Sequence, residues 1–329
     1  MPANITAVGR YLPPEIYDNK HFEARLETTD EWIRTRTGIV ERRFASSGAT
    51  SDLVVPAAQQ CLEMRNISAE EVDCIIVCTI SPDFFFPSTA AVVQKKLGAK
   101  NAWGFDLSAA CSGFLYGLVT GAKLVEGGVA KRVLVCGADK MSSVLDFDDR
   151  SSSILFGDGA GVVLLEKSDD PEIGVLDQIL HMDGAGGEHL YMTGGGSFMP
   201  ATPESVAARK HYLVQDGKSV FKSAVVGMAE VSAEIMQKNN LTSEDIAWLV
   251  PHQANLRIIS ATAERMGLSM DKVMINIDKY GNTTAGTLPI CLSELQEQGR
   301  LKYGDRIILS SFGAGFTWGS VYLRWGMNK

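Results

Sequence analysis

Residues 66–76 read NISAEEVDCII and residues 240–250 read NLTSEDIAWLV, and the two stretches align without a gap at an offset of 174. Self-similarity at a fixed spacing speaks to architecture before any motif does. In each copy a polar, acidic segment with the look of a helix start (SAEE, TSED) leads into an apolar run of strand length, CIIVC in one and WLVP in the other. The correspondence continues outward: KRVLVCGA (131–138) answers DRIILSSF (305–312) at the same offset, and VVQKKLGA (92–99) answers TAERMGLS (262–269). GFDLSAAC (104–111) answers MINIDKYGN (274–282) with a small register change. Runs rich in Val, Ile and Leu alternate with helical patterns, the habit of parallel sheets covered by helices. The expected fold class is α/β and internally duplicated, with halves at 1–170 and 171–329.

Composition narrows the function. The chain has 329 residues, 45% hydrophobic and 21% charged, which suffices for a large core. A formal charge of −8 argues against a general nucleic-acid binder, because phosphate binding needs a basic face. No run of about 18 apolar residues is present, so no membrane insertion is expected. The start, MPANITAVGRYLPPE, lacks a basic head followed by an apolar run, so a cytoplasmic protein is expected. Six cysteines (Cys61, Cys74, Cys78, Cys111, Cys136, Cys291) occur with no CxxC pair, and their default reading is buried and reduced.

Cys111 departs from that default by its position. It follows the strand around 103–107 and precedes SGFLYGLVTGAKLVEGG, so it falls at a strand's C-terminal end and a helix's N-terminus. Ligands of open α/β sheets gather at such ends, and the positive end of a helix dipole favours thiolate. The second half places His252 of PHQAN just past the strand WLV, and Asn282 of YGNTT just past the strand VMINI, within a residue of the position answering Cys111. Taken singly, the cysteine reads as core, the histidine as structural and the asparagine as a turn residue.

The combination of AACSGF, PHQAN, YGNTT and SFGAGFTWGS resembles the beta-ketoacyl-acyl carrier protein synthase III family, initiating condensing enzymes of the thiolase-like superfamily. The resemblance extends over essentially the whole chain, through TTDEWIRTRTGI, FFFPSTA and DRSSSILFGDGAG. It implies a thiolase-like fold whose α/β halves form a layered αβαβα architecture. It implies a decarboxylative Claisen condensation of a short acyl-CoA with malonyl-acyl carrier protein through an acyl-Cys111 intermediate, with His252 and Asn282 as donors to the enolate oxygen. Backbone N–H groups of Cys111 and Ala314 would hold the acyl carbonyl oxygen. Trp32 and Arg150 would sandwich the adenine of coenzyme A, with Arg36 at its phosphates. Lys222, Arg257 and Arg265 resemble the patch that docks the acidic carrier protein. Phe86 would cross a homodimer interface to close the partner's acyl pocket. Coenzyme A and carrier thioesters enter as substrates, so no cofactor and no metal is expected.

Related chemistries are separated by single residues. A thiolase needs a second cysteine near its C-terminus, yet none follows Cys291, and elongating ketosynthases carry histidine where Asn282 stands. Condensing enzymes of polyketide metabolism share Cys-His-Asn and are the enzymatic alternative; an acyl-CoA-binding relative is the non-catalytic one. GDGAG (157–161) lacks the GxGxxG spacing of a dinucleotide loop, and the glycines of HMDGAGGEH (181–189) suggest a connection rather than a metal site. The segment from Gly184 to Lys218 is expected near the mouth of a substrate tunnel.

Overall fold

In the computed structural model, which describes residues 1–327, both copies of the repeat close the same turn. The backbone N–H of Ser68 donates to Glu71 Oε1 at 3.1 Å, and 174 residues later that of Thr242 donates to Asp245 Oδ2 at 2.9 Å. The acidic segments are therefore turns closed by their own carboxylates, with one 3-10 turn at Ala69–Glu71, rather than helix starts. The strands begin too soon after them, at Cys74 and Trp248, for a helix to form.

Five strands form the first sheet: β1 (Ala3–Tyr11), β2 (Cys74–Cys78), β3 (Trp103–Leu107), β4 (Arg132–Asp139) and β5 (Gly159–Lys167), in the order β1-β5-β4-β2-β3. Downstream come β6 (Gly174–Met182), a small pair β7 (Leu190–Met192) and β8 (Leu213–Gln215), then β9 (Trp248–Pro251), β10 (Arg306–Gly313) and β11 (Thr317–Arg324). The second sheet runs β9-β10-β11-β6. Both sheets are mixed, not parallel throughout: β3, β2 and β4 run parallel, as do β9 and β10, while β5, β1, β11 and β6 join antiparallel.

Seven helices position the site: α1 (Asp30–Thr37), α2 (Thr50–Arg65), α3 (Thr89–Leu97), α4 (Gly113–Glu126), α5 (Gly217–Lys238), α6 (Leu256–Arg265) and α7 (Thr287–Glu297). α2 and α3 cover the outer face of the first sheet, α5 and α6 that of the second, and α4 and α7 lie between the sheets. This is the αβαβα layering. The central layer is apolar on both sides: Leu115 and Leu118 of α4 and Leu288 and Leu292 of α7 share one cluster with Val135 and Leu309 of the two sheets. α4 approaches β2 closely because Gly117 carries no side chain; a Cβ there would stand 2.3 Å from Cys78 Sγ.

One expected strand is missing. VMINI keeps only an isolated parallel bridge, Val273 to Leu249, and Ile277 opens a short helical turn. The buried side chain of Gln253 takes over the pairing: Nε2 donates to the carbonyls of Pro251 and Met274, and Oε1 accepts from the backbone N–H groups of Asn276 and Ile277. A single carboxamide thus completes the edge where the first half has β3.

Candidate active site

Cys111 sits in a 3-10 turn, Ala110–Ser112, wedged between β3 and α4. Ala110 has φ +47, and 174 residues later Thr284 has φ +49, each one residue into the turn that precedes a central helix. The residue answering Cys111 is therefore Ala285, and Asn282 lies three positions before it, not one. The second sheet clamps the cysteine turn. Ser311 Oγ donates to the Cys111 carbonyl at 2.8 Å, Ser112 Oγ to the Thr317 carbonyl at 3.0 Å, and Thr317 Oγ1 to the Ala109 carbonyl at 3.0 Å. Gly313 admits this approach, since a Cβ there would lie 2.7 Å from Cys111 N.

His252 follows β9 and is anchored by its backbone N–H to the Ser310 carbonyl at 2.8 Å. Its ring is buried, and neither Nδ1 nor Nε2 has a hydrogen-bond partner. A buried imidazole without partners carries an unmet hydrogen-bonding demand, of about 1–3 kcal/mol for each orphaned group. Asn282 is pinned by its main chain, its N–H donating to the Leu155 carbonyl and its carbonyl accepting from Gly157 N. Its Oδ1 accepts from Thr284 N at 2.9 Å, and its side chain favours the ionised form of the Cys111 thiol, with which it shares the cleft.

Electrostatics correct one expectation. Burial pushes the Cys111 thiol up to about 12, and the charge of Asp139 adds to the rise; the residue's own backbone N–H and Asn282 oppose it. The helix N-terminus favours thiolate, but withdrawal of a charge from water is the larger effect. Burial also holds His252 down at about 3. The resting pair is thus neutral thiol and neutral imidazole.

The three side chains open onto one cleft of about 560 Å³, whose outer part is lined by Trp32, Arg36, Arg150 and Arg257. The Arg36 and Arg150 guanidinium carbons each stand 4.9 Å from the Trp32 ring centre. Arg150 also donates to the Glu27 carbonyl at 2.7 Å. The expected adenine slot between Trp32 and Arg150 is accordingly filled by the guanidinium itself. Behind Cys111 lies a second, apolar cavity of about 180 Å³, bounded by Ile80, Met141, Val144, Phe156, Leu213 and Ala314 among others. β7 and β8 form part of its wall, so the 184–218 segment borders this cavity as well as the cleft.

Three expected residues lie apart. Phe86 is 86% exposed and lines neither cavity of its own chain. Lys222 is exposed on a separate groove of α5 beside Asp183 and His189. Arg265 is engaged by Glu230 through two hydrogen bonds of 2.9 and 3.0 Å, so its charge is neutralised within the chain. Arg257 lies over the Phe221 ring at 4.5 Å, at the cleft. In HMDGAGGEH, His181 stacks on Trp318 and His189 on Phe316, and among the described residues no group of three or more His, Cys, Asp or Glu converges.

The sequence reading missed Gln253 and Asp139. Asp139 was marked only by a charge closing the apolar run KRVLVCGA, and Gln253 only by its place beside His252.

Residues 105–184 match the family profile of 3-oxoacyl-[acyl-carrier-protein (ACP)] synthase III, and residues 236–325 match that of its C-terminal part. The beta-ketoacyl-[acyl-carrier-protein] synthase III of Chlorobaculum tepidum is 61% identical over 328 residues, covering 99% of this chain and 100% of that one. Among solved structures, the Thermus thermophilus synthase III is 43% identical with a TM-score of 0.91, covering 98% of this chain and 99% of that one. The priming beta-ketosynthase of the R1128 polyketide pathway is 34% identical with the same TM-score, covering 98% of this chain and 96% of that one.

Proposed function

The chain belongs to the beta-ketoacyl-[acyl-carrier-protein] synthase III family, and from that premise we propose how its own residues divide the reaction. It is an acyltransferase-class condensing enzyme that catalyses the initiating condensation of fatty acid synthesis, joining an acyl-CoA primer to malonyl-acyl carrier protein. The observation that carries the assignment of roles is the convergence of Cys111, His252 and Asn282 on one cleft, with both imidazole nitrogens unpartnered.

In the first step the Cys111 sulfur attacks the primer thioester carbon. The carbon–sulfur bond to coenzyme A breaks, and the thiol proton leaves on the coenzyme A sulfur. The carbonyl oxygen carries negative charge in between, and the backbone N–H groups of Cys111 and Ala314 are its donors. The acyl chain enters the apolar cavity that Cys111 and Ala314 share.

In the second step malonyl thioester loses carbon dioxide, and the bonding pair becomes an enolate whose oxygen accepts from the His252 N–H and the Asn282 NH₂. A neutral imidazole meets that task, because one of its two ring nitrogens carries an N–H. The enolate carbon attacks the acyl-Cys111 carbonyl, the tetrahedral adduct expels the cysteine sulfur, and solvent returns its proton.

Trp32, Arg36 and Arg150 hold coenzyme A at the outer cleft. Admission of an adenine requires Arg150 to leave the Trp32 face, since two stacking gaps need about 7 Å and 4.9 Å is present. Arg257 and Lys222 dock the carrier protein, and Arg265 contributes little while Glu230 holds it. A homodimer is supported by the open edge of β3, where Trp103 is 45% exposed, together with Phe84, Phe85 and Phe86 at 57%, 80% and 86%. In that dimer Phe86 closes the partner's acyl cavity.

Intact-mass measurement after mixing with acetyl-, isobutyryl- and longer acyl-CoA tests the reading. A single acyl adduct, absent in Cys111→Ala and discharged by malonyl-acyl carrier protein, is expected. An adduct that persists in Cys111→Ala overturns the nucleophile assignment, and discharge by malonyl-CoA alone favours the polyketide alternative.

A further inference from the structure

Asp139 closes β4 fully buried, and the chemistry described above does not use it. Its Oδ1 accepts from Thr79 Oγ1 at 2.8 Å, Ile80 N at 2.8 Å, Ser81 N at 3.1 Å and Ser81 Oγ at 2.9 Å. Its Oδ2 accepts from Thr284 Oγ1 and, at 3.3 Å, from Ala285 N. All six partners are uncharged donors, an environment that an acceptor-only carboxylate satisfies and an amide, with its own NH₂, does not. One oxygen therefore ties the loop after β2 and the other ties the turn that follows Asn282.

That turn is where geometry passes to the site. Thr284, β-branched, is held at φ +49, a left-handed conformation that costs an ordinary residue about 1–2 kcal/mol. In this conformation its backbone N–H points at Asn282 Oδ1, 2.9 Å away. A carboxamide whose oxygen is taken presents its NH₂ on the other side, and Asn282 shares the cleft with the Cys111 thiol, whose ionised form it favours. We propose that Asp139 is a positioning residue of the condensation: through Thr284 it holds the Asn282 carboxamide with its NH₂ toward the reacting centre. The inference rests on the reading of Asn282 as a donor to the enolate oxygen.

The carboxylate form of Asp139, which its six donors favour against the upward push of burial, supplies an independent readout. It raises the pKa of the Cys111 thiol, and the other titratable side chain facing the thiol's cleft at depth, His252, is held neutral by burial. Removal of the charge lowers the thiol's pKa, so a resting Asp139→Asn enzyme is alkylated faster by iodoacetamide near neutral pH. A loosened site also exposes the thiol, so Thr284→Val, which breaks the same tie but keeps the charge, is the control: alkylation faster in Asp139→Asn and not in Thr284→Val marks the charge.

The experiment follows two half-reactions, acylation of Cys111 by the primer thioester and carbon dioxide release from malonyl thioester. Asp139→Asn and Thr284→Val are expected to lose about 10- to 100-fold in decarboxylation, and less in acylation, while Thr284→Ser, which keeps the hydroxyl, stays near wild type. The double variant Asp139→Asn/Asn282→Ala is expected within about 3-fold of Asn282→Ala alone, because the two residues act on one donor. Multiplied losses in the double variant, or full decarboxylation by Thr284→Val, overturn the proposal; should Asp139→Asn not fold, the two Thr284 variants decide. Wild-type decarboxylation by Asn282→Ala instead refutes the role of Asn282 itself, a separate failure.

Discussion

His252 shows how burial of one side chain couples its protonation to stability. Its folded pKa is held at about 3 by burial, against about 6.5 for an exposed histidine. As pH falls below 6.5 the unfolded chain binds a proton that the folded chain refuses, so stability declines from pH 6.5 toward 3 and is unaffected above 6.5. The slope reaches about 1.4 kcal/mol per pH unit for this one group. Urea midpoints of the wild type and of His252→Gln, compared at pH 7.5 and pH 5, are expected to show the wild type losing about 2 kcal/mol more on acidification. An equal loss in both proteins would mean that the imidazole is not held neutral. At the same scale Asn282→Ala is expected to spare acylation of Cys111 and to cost about 100-fold in decarboxylation, read by the two half-reactions separately.

Among the elements, the half-length edge after β9 stands out because a side chain replaces a strand. Gln253 satisfies four main-chain groups, and a leucine at that position leaves all four unpaired in a buried place. Gln253→Leu is expected to destabilise by about 3 kcal/mol or more, read as a shift of the denaturation midpoint. The variant also loosens Asn276 and Ile277, which lead into the turn carrying Asn282, so decarboxylation is expected to fall further than acylation. A stable variant with an unaltered midpoint would show that water or neighbouring carbonyls take over the pairing.

At the scale of the whole molecule, an enzyme of net charge −8 that meets an acidic carrier needs a local positive feature. On the proposal that Arg257 at the cleft serves this role, Arg257→Glu is expected to lower kcat/KM for malonyl-acyl carrier protein about 10-fold more than for malonyl-CoA. Equal losses with both substrates would remove Arg257 from carrier docking. The exposed aromatic edge of β3 makes a further demand. Light scattering is expected to report a dimer for the wild type and monomer for Trp103→Asp, with the monomer poorly acylated because its acyl cavity lacks the partner's phenylalanine. A monomeric wild type at micromolar concentration would refute this assembly.

What the sequence determined by itself was local and periodic. The 174-residue repeat, the apolar runs and the flanking glycines specify strands, central helices and their order, because each depends on side-chain spacing within a few residues. That Cys111, His252 and Asn282 stand beyond the ends of apolar runs was legible for the same reason, and the structure brings the three to one cleft. The tertiary structure decided what depends on groups distant in the chain. The protonation state of Cys111 follows from burial and from Asp139, the neutralisation of Arg265 from Glu230, and the loss of a strand after β9 from Gln253. Such effects arise from the solvent a fold excludes and the partners it brings within about 3 Å, and neither quantity is written in local sequence spacing.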